Sequence, residues 1–369
     1  MFKYDLKEYD FVNISFLLLT PIIAVISTFY WINLDGFSLE ILLTGIILYT
    51  LSGLSITAGY HRLIAHKAYQ SNPIVKLFFL IFGASAFQNS ALKWCSDHRV
   101  HHKYVDTESD PYNINEGFFH AHMGWIFLKK NNEIKTRFAK DLYNDKLILW
   151  QHKYYLLIAV TIGFILPTLI CGYFFNSYLG GVAISFVRVV SIHHCTFFIN
   201  SLCHYIGSKP YTDINTARDS WIMALFTFGE GYHNFHHFFQ ADYRNGIRWF
   251  HFDPTKWLIK SLNIVGMTDK LKVTSYEKIL SAKMSMHLKK VQFSEHNYQA
   301  ELEALKLNIS ETLLKIEEFK KDLKVRKDEL SKAMQIEIKK QIDEKKSEYK
   351  ILWQAWQLQL QNLDSLSYS

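Results

Sequence analysis

Four apolar runs constrain this chain more than any other feature. "FVNISFLLLTPIIAVISTFYWI", from Phe11, is about as long as a bilayer-crossing helix, roughly 20 residues. "FSLEILLTGIILYTLSGLSITAG" follows after a very short turn. "YYLLIAVTIGFILPTLICGYFF", from Tyr154, and "YLGGVAISFVRVVSIHHCTFFINSLCH", from Tyr178, form a second pair. The first run is not a cleavable signal. It is long, has an acidic and aromatic lead-in, and lacks a small-residue cleavage site. The connectors "NLDG" and "NSY" carry no Lys or Arg, whereas the long segments carry nearly all of them. The positive-inside rule then places both termini and both long segments in the cytoplasm. "KLFFLIFGASAF", from Lys76, is too short to span and reads as re-entrant, interfacial or packed under the cytosolic part.

Hydrophobic residues make up 49% of the chain, yet its mean hydropathy is −0.02. The charged residues must therefore be concentrated elsewhere. Much of that charge lies after Gly266, where neither Gly nor Pro occurs to the end. There Leu302, Leu305, Ile309, Ile316, Phe319, Leu323 and Leu330 keep a three-four spacing that Thr312 and Arg326 interrupt. This is a long helix or short coiled coil, either folded back on its own domain or used for self-association. The expected division is a membrane domain over 1–270 and a charged helical tail over 271–369. The net charge of +7 suits a basic face on an anionic membrane, and no nucleic-acid partner is expected. Cys95, Cys171, Cys195 and Cys203 show no CxxC spacing and read as free thiols.

Seventeen histidines are present, and eight fall into three compact sets. These are His61 and His66 in "GYHRLIAHKAY"; His98, His101 and His102 in "DHRVHHKYVD"; and His233, His236 and His237 in "GEGYHNFHHFF". On an α-helix, residues at i, i+3 and i+4 lie within roughly 100° of arc, so each HxxHH set points three imidazoles one way. The HxxxxH pair is roughly 140° apart on the same arithmetic. Either its members serve different metals or a helix end bends between them. A zinc site takes four protein ligands at most, so eight imidazoles imply two ions. A nearly all-nitrogen pair at a membrane face suits redox chemistry with oxygen better than hydrolysis.

The order HxxxxH, HxxHH, HxxHH on four spans resembles that of the integral-membrane fatty acyl desaturases. "TAGYHRLIAHKAY", "DHRVHHKYVDTESDPYN", "GFFHAHMGW", "FINSLCHYIG", "GEGYHNFHH", "DYRNG" and "FDPTKWLI" resemble the acyl-CoA delta-9 (stearoyl-CoA type) branch in particular. The resemblance runs from about residue 10 to 270 and leaves out the tail. It implies an all-α membrane protein in which four transmembrane helices carry a cytosolic helical cap holding a di-metal site. It also implies two Fe2+ ions and dioxygen as co-substrate. One iron would take His61, His98, His101 and His236, with Asn200 behind a water. The other would take His66, His102, His204, His233 and His237. His204, from "NSLCH", enters only through the resemblance. His193 and His194 could line the site, while His120, His122 and His251 are expected to be structural or interfacial.

The implied reaction draws a cis double bond, at delta-9, in a long-chain acyl-CoA. Regioselectivity would come from a tunnel shaped by Gln88, Trp94 and Thr196 and closed by Tyr49. Asp97, Lys129 and Lys130 would meet the carrier. Ser96 departs from the pattern, because animal members carry Arg there, and this leaves acyl-ACP or a lipid open as carrier. Phe238 and Gln240 also depart, without expected effect on the metals. Without a GxGxxG or a haem motif, the two outside electrons imply a separate cytochrome b5 or ferredoxin-like donor. Membrane lipid is the remaining partner. A lipid hydroxylase, a desaturase of other regiochemistry, or a zinc-binding scaffold or transporter are the competing readings. Arg188, a lone charge in the fourth run, is the feature that favours transport.

Overall fold

The computed structural model describes residues 5–291, 296–326 and 329–366. It is mostly helical, with one two-stranded ladder pairing Gln70 with Asp269 and Ser71 with Thr268 among the described residues. Four helices are long and apolar enough to cross a membrane: Phe11–Leu34, Leu39–Ala65, Tyr155–Phe175 and Tyr178–Tyr205. The chain is thus a multi-pass membrane protein with four candidate spans. Side chains cap the start of three of these helices. Asp10 accepts the amides of Val12 and Asn13, Ser38 that of Ile41, and Ser177 that of Gly180.

The fourth span packs against the other three. The first span buries Leu17, Thr20, Ala24, Ser27 and Trp31, a mostly small face, while Leu18, Ile22, Val25 and Phe29 are exposed. A small inner face lets helices approach closely, and an apolar outer face suits lipid. The short run lies in the helix Pro73–Ala84 and packs against the end of the second span.

The chain divides into two compact units. One comprises Met1–Lys209 and Ile214–Val273, the other Pro210–Asp213 and Thr274–Ser369. The second consists mainly of three helices, Tyr276–Val291, His296–Val325 and Lys332–Leu366. Leu302, Ile309 and Ile316 of the expected seam are buried there with Leu280, Met284 and Trp356. Thr312 does not interrupt this core. It is buried, and its hydroxyl donates to Glu348 at 3.1 Å.

In the first unit the core joins the end of the second span, Pro73–Ala84 and the helix Ala91–Tyr104 through Tyr60, Leu63, Phe79, Leu80 and Leu92. Phe79 sits so close that a Cβ at Gly59 would lie 2.4 Å from its own Cβ. That contact fixes the turn on which His61 stands.

Candidate metal centre

The second span does not end as an α-helix. Over Ser55–Ala65 it is wound as a π-helix, and the His66 amide donates to the His61 carbonyl at 3.0 Å, five residues back. A π turn brings residues five apart to the same side. The α-helical angle between His61 and His66 therefore does not apply, and their rings stand 4.7 Å apart.

Two histidine groups result. His61, His66, His98, His102 and His236 form one, and His101, His204, His233 and His237 the other. This grouping differs from the partition that the resemblance implies at three histidines: His66 and His102 fall with the first group, and His101 with the second. The reason lies in helix geometry. The i, i+4 pairs His98–His102 and His233–His237 each stay within one group. The residue between, His101 or His236, reaches across to the other. Each HxxHH set therefore feeds both groups instead of pointing one way. The helix Ala91–Tyr104 carries the first set and His233–Phe238 the second. His204 arrives on the turn Leu202–Tyr205. Asn200 ends the fourth span's long helix and lines the adjoining cavity.

The ring nitrogens converge. His236 Nε2 lies 3.0 Å from Nε2 of both His61 and His102. His66 and His98 Nε2 are 2.8 Å apart. His237 Nε2 lies 3.2 Å from that of His101 and 3.0 Å from that of His233, which is 3.1 Å from that of His204. An imidazole nitrogen carries a proton or a lone pair, not both. Nitrogens facing two partners at once cannot satisfy both by hydrogen bonding. A cation can: with metal–nitrogen bonds of about 2.0–2.1 Å, neighbouring ligands lie about 3 Å apart. Burial, then the neighbouring histidines, push His66, His98, His102, His236 and His237 well below the ordinary histidine range. His233 shifts the same way, by burial and then by His204. These are neutral imidazoles, the form that binds metal. The donor set fits two metal ions.

Outer partners orient the rings. His61 Nδ1 lies 2.9 Å from Glu230 Oε2. His101 Nδ1 lies 2.9 Å from both Asp110 oxygens. His204 Nδ1 lies 2.7 Å from the Thr216 hydroxyl, which donates to Asp106 at 2.6 Å. Glu230 is tied to Arg62 by bonds of 3.1 and 2.8 Å. Arg62 Nη1 also donates to Asp253 at 3.1 Å. Burial alone would raise the Glu230 carboxyl, but the Arg62 charge and His61 hold it below the ordinary range. Asn245 links the parts: its side chain donates to Glu230 at 2.7 Å and its amide to Asp253 at 2.9 Å. "DYRNG" is thus part of a buried brace beneath the first group. Sequence reasoning missed Arg62, Asp106, Asp110, Thr216, Glu230, Asn245 and Asp253 as members of the site. Arg62 and Glu230 were signalled only by charge beside the histidine sets, and Thr216 and Asn245 carried no charge at all.

A cavity of about 410 Å³ opens on both groups and is lined by Tyr49, Gln88, Trp94, Asp97, Thr196 and Asn200, among others. Gln88 bridges it, donating to Thr196 at 2.9 Å and accepting from Trp94 Nε1 at 3.2 Å. Trp94 stacks on His98 at 4.9 Å. The Tyr49 hydroxyl donates to the Phe226 carbonyl at 3.3 Å. Asp97 pairs with Lys93, a partner not expected from sequence, and burial pushes its carboxyl up to about 6. Lys129 and Lys130 lie off the cavity wall. Lys129 donates to the Lys7 carbonyl at 2.9 Å, and Lys130 lines a separate surface pocket. His122 pairs with His194 at 3.1 Å and His251 stacks on Tyr232, all outside the two groups.

A family model described as fatty acid desaturase matches residues 39–263. The chain is 46% identical over 255 residues to acyl-CoA desaturase 1 of Saccharomyces cerevisiae, covering 69% of this chain and 50% of that protein. It is 35% identical over 246 residues to stearoyl-CoA desaturase of Homo sapiens, covering 65% and 68%. It is 38% identical over 210 residues to acyl-CoA Delta(11) desaturase of Trichoplusia ni, covering 56% and 60%. The chain thus spans about half the length of the yeast relative.

Proposed function

This chain belongs to the fatty acid desaturase family, and from that premise we propose that it draws a cis double bond, at delta-9, in a saturated long-chain acyl-CoA. The observation that carries the reading is the pair of buried all-histidine groups opening on an apolar cavity bridged by Trp94, Gln88 and Thr196.

The first group would hold one iron and the second another, with Asn200, on the cavity wall, contributing to one of them through a water. Bound there, two irons with dioxygen supply an oxidant able to take hydrogen from an unactivated methylene. The rest falls to the chain's own residues. Glu230, Asp110 and Thr216 hold the rings in orientation. Apolar residues such as Phe16, Ile56, Phe164 and Ile192 line the cavity and exclude water. The Trp94–Gln88–Thr196 bridge gives the cavity a fixed shape, so that particular methylenes stand near the histidines. The balance is one saturated carbon pair, one dioxygen, two electrons and two protons giving one alkene and two waters. The electrons come from a separate donor, a cytochrome b5 or ferredoxin-like protein, docked on a cytoplasmic face. The positive-inside pattern supports that side.

Delta-9 is the finer part of this reading, because the named relatives include a Delta(11) enzyme. Expression in a desaturase-deficient host, with iron and a competent donor, tests it by position-resolved mass spectrometry. A monounsaturated chain with its double bond at carbon nine is expected. A product heavier by one oxygen would make the protein a hydroxylase. No product from iron-loaded protein would overturn the reading.

A further inference from the structure

Arg188 sits in the fourth span, 3% exposed, and takes no part in the chemistry above. Among the described residues its hydrogen-bond partners are neutral. Nη1 donates to the Ser52 hydroxyl at 2.9 Å and the Ser85 carbonyl at 3.0 Å, and Nη2 to the Gly163 carbonyl at 3.0 Å. A cation inside a span is costly, and where one is retained it points to function. Its three acceptors belong to three elements: the second span, the turn after Pro73–Ala84, and the π turn Thr161–Ile165 of the third span. The third span reaches this point because residue 163 is glycine. A Cβ there would stand 2.6 Å from Phe87 and 3.2 Å from Arg188.

The turn after Pro73–Ala84 is strained. Phe87 and Asn89 have φ of 54° and 74°, in the left-handed region that residues with side chains seldom adopt. Such backbone persists only where its surroundings fix it. The fourth span does so residue by residue. Arg188 takes the Ser85 carbonyl. His193 Nε2 lies 2.9 Å from the Ala86 carbonyl and 3.2 Å from that of Phe87. Thr196 takes the Gln88 side chain. Phe87, Gln88 and Asn89 in turn line the cavity, and Gln88 leads through Trp94 to His98.

We infer that Arg188, with His193, is a positioning pair that holds the strained 85–89 turn and thereby sets which methylenes of a bound chain lie against the histidine groups. The inference rests on reading the cavity as an acyl-chain site. It makes Arg188 a determinant of regioselectivity and not a transport residue.

Two measurements on full-length protein test it, using Arg188→Met, Arg188→Lys and the milder Ser52→Ala. The first is amide hydrogen exchange across residues 84–90 without substrate. Arg188→Met is expected to speed exchange there by about tenfold or more, and Ser52→Ala by less. Arg188→Lys should fall between wild type and Arg188→Met, because a single ammonium nitrogen cannot stand at both the Nη1 and Nη2 positions from which the three acceptors are reached. The second is product analysis, where the wild-type double-bond position should spread to neighbouring carbons or other chain lengths in the same order. Should Arg188→Met fail to fold, Ser52→Ala decides. Folded variants with wild-type exchange across 84–90 would overturn the positioning role. Faster exchange with an unchanged product would overturn the link to regioselectivity. An inactive wild-type chain would count against the desaturase reading, and exchange would still decide the positioning.

Discussion

The five-histidine group and the four-histidine group use one side-chain type but are anchored differently. Behind His61 stands a buried ionic network of Glu230, Arg62 and Asp253, drawn from parts of the chain far apart in sequence. Behind His101 stands Asp110, which also accepts the nearby amides of Asp106 and Tyr112. Behind His204 stands Thr216, tied back to Asp106. The first anchor is a buried network of three charged groups, whereas the second rests on single carboxylates and a hydroxyl, local at Asp110 and long-range only at Thr216–Asp106. Damage to the first should therefore cost stability, and damage to the second should cost metal affinity.

The largest effect tests whether the groups are equal in chemistry. His102 and His237 belong to different groups, with stacked rings 4.3 Å apart. Either His102→Ala or His237→Ala is expected to lose more than the 10–100-fold typical of outer-shell changes. A turnover assay that leaves either variant within about tenfold of wild type would remove that histidine from the site.

Arg62→Met comes next and breaks the comparison on the stability side. It leaves Glu230 and Asp253 buried without their cation, which costs about 3–5 kcal/mol. Denaturant unfolding of metal-free protein should show that loss, and a much smaller one for Asp110→Asn. Equal losses would erase the distinction between the anchors.

Thr216→Val sharpens the other side. It removes the orienting partner of His204 and should lower metal affinity by about tenfold with little change in melting temperature. Metal titration and a thermal melt on the same sample would separate the two.

The smallest effect concerns the helical unit after Val273. Truncation there is expected to leave product and metal content unchanged, because the histidines, their anchors and the cavity all lie in the other unit. Loss of product from folded, metal-loaded truncated protein would contradict this.

What was legible in sequence followed the strength of each signal. The spans showed as long apolar runs, and the tail seam showed as three-four spacing, because burial leaves a period in the residues. Trp356 was not seen as core, since a single aromatic carries no period. The histidine sets were legible as clusters, but their partition was not. For His66 it depends on the π turn at Ser55–Ala65, and for His101 and His102 on how the helix Ala91–Tyr104 sits between the two groups, which exists only after folding. Glu230, Arg62 and Asp253 were illegible as a network because their partnership exists only after folding. Arg188 stood out as a lone charge, but its neutral partners were not readable.

The central claim is that these histidines hold two irons. Elemental analysis of purified full-length protein, joined to Mössbauer spectroscopy, tests it most directly. About two irons per chain in nitrogen-rich sites are expected, falling when His237 is replaced by Ala. One metal per chain, zinc in place of iron, or an undiminished iron content in that variant would contradict it.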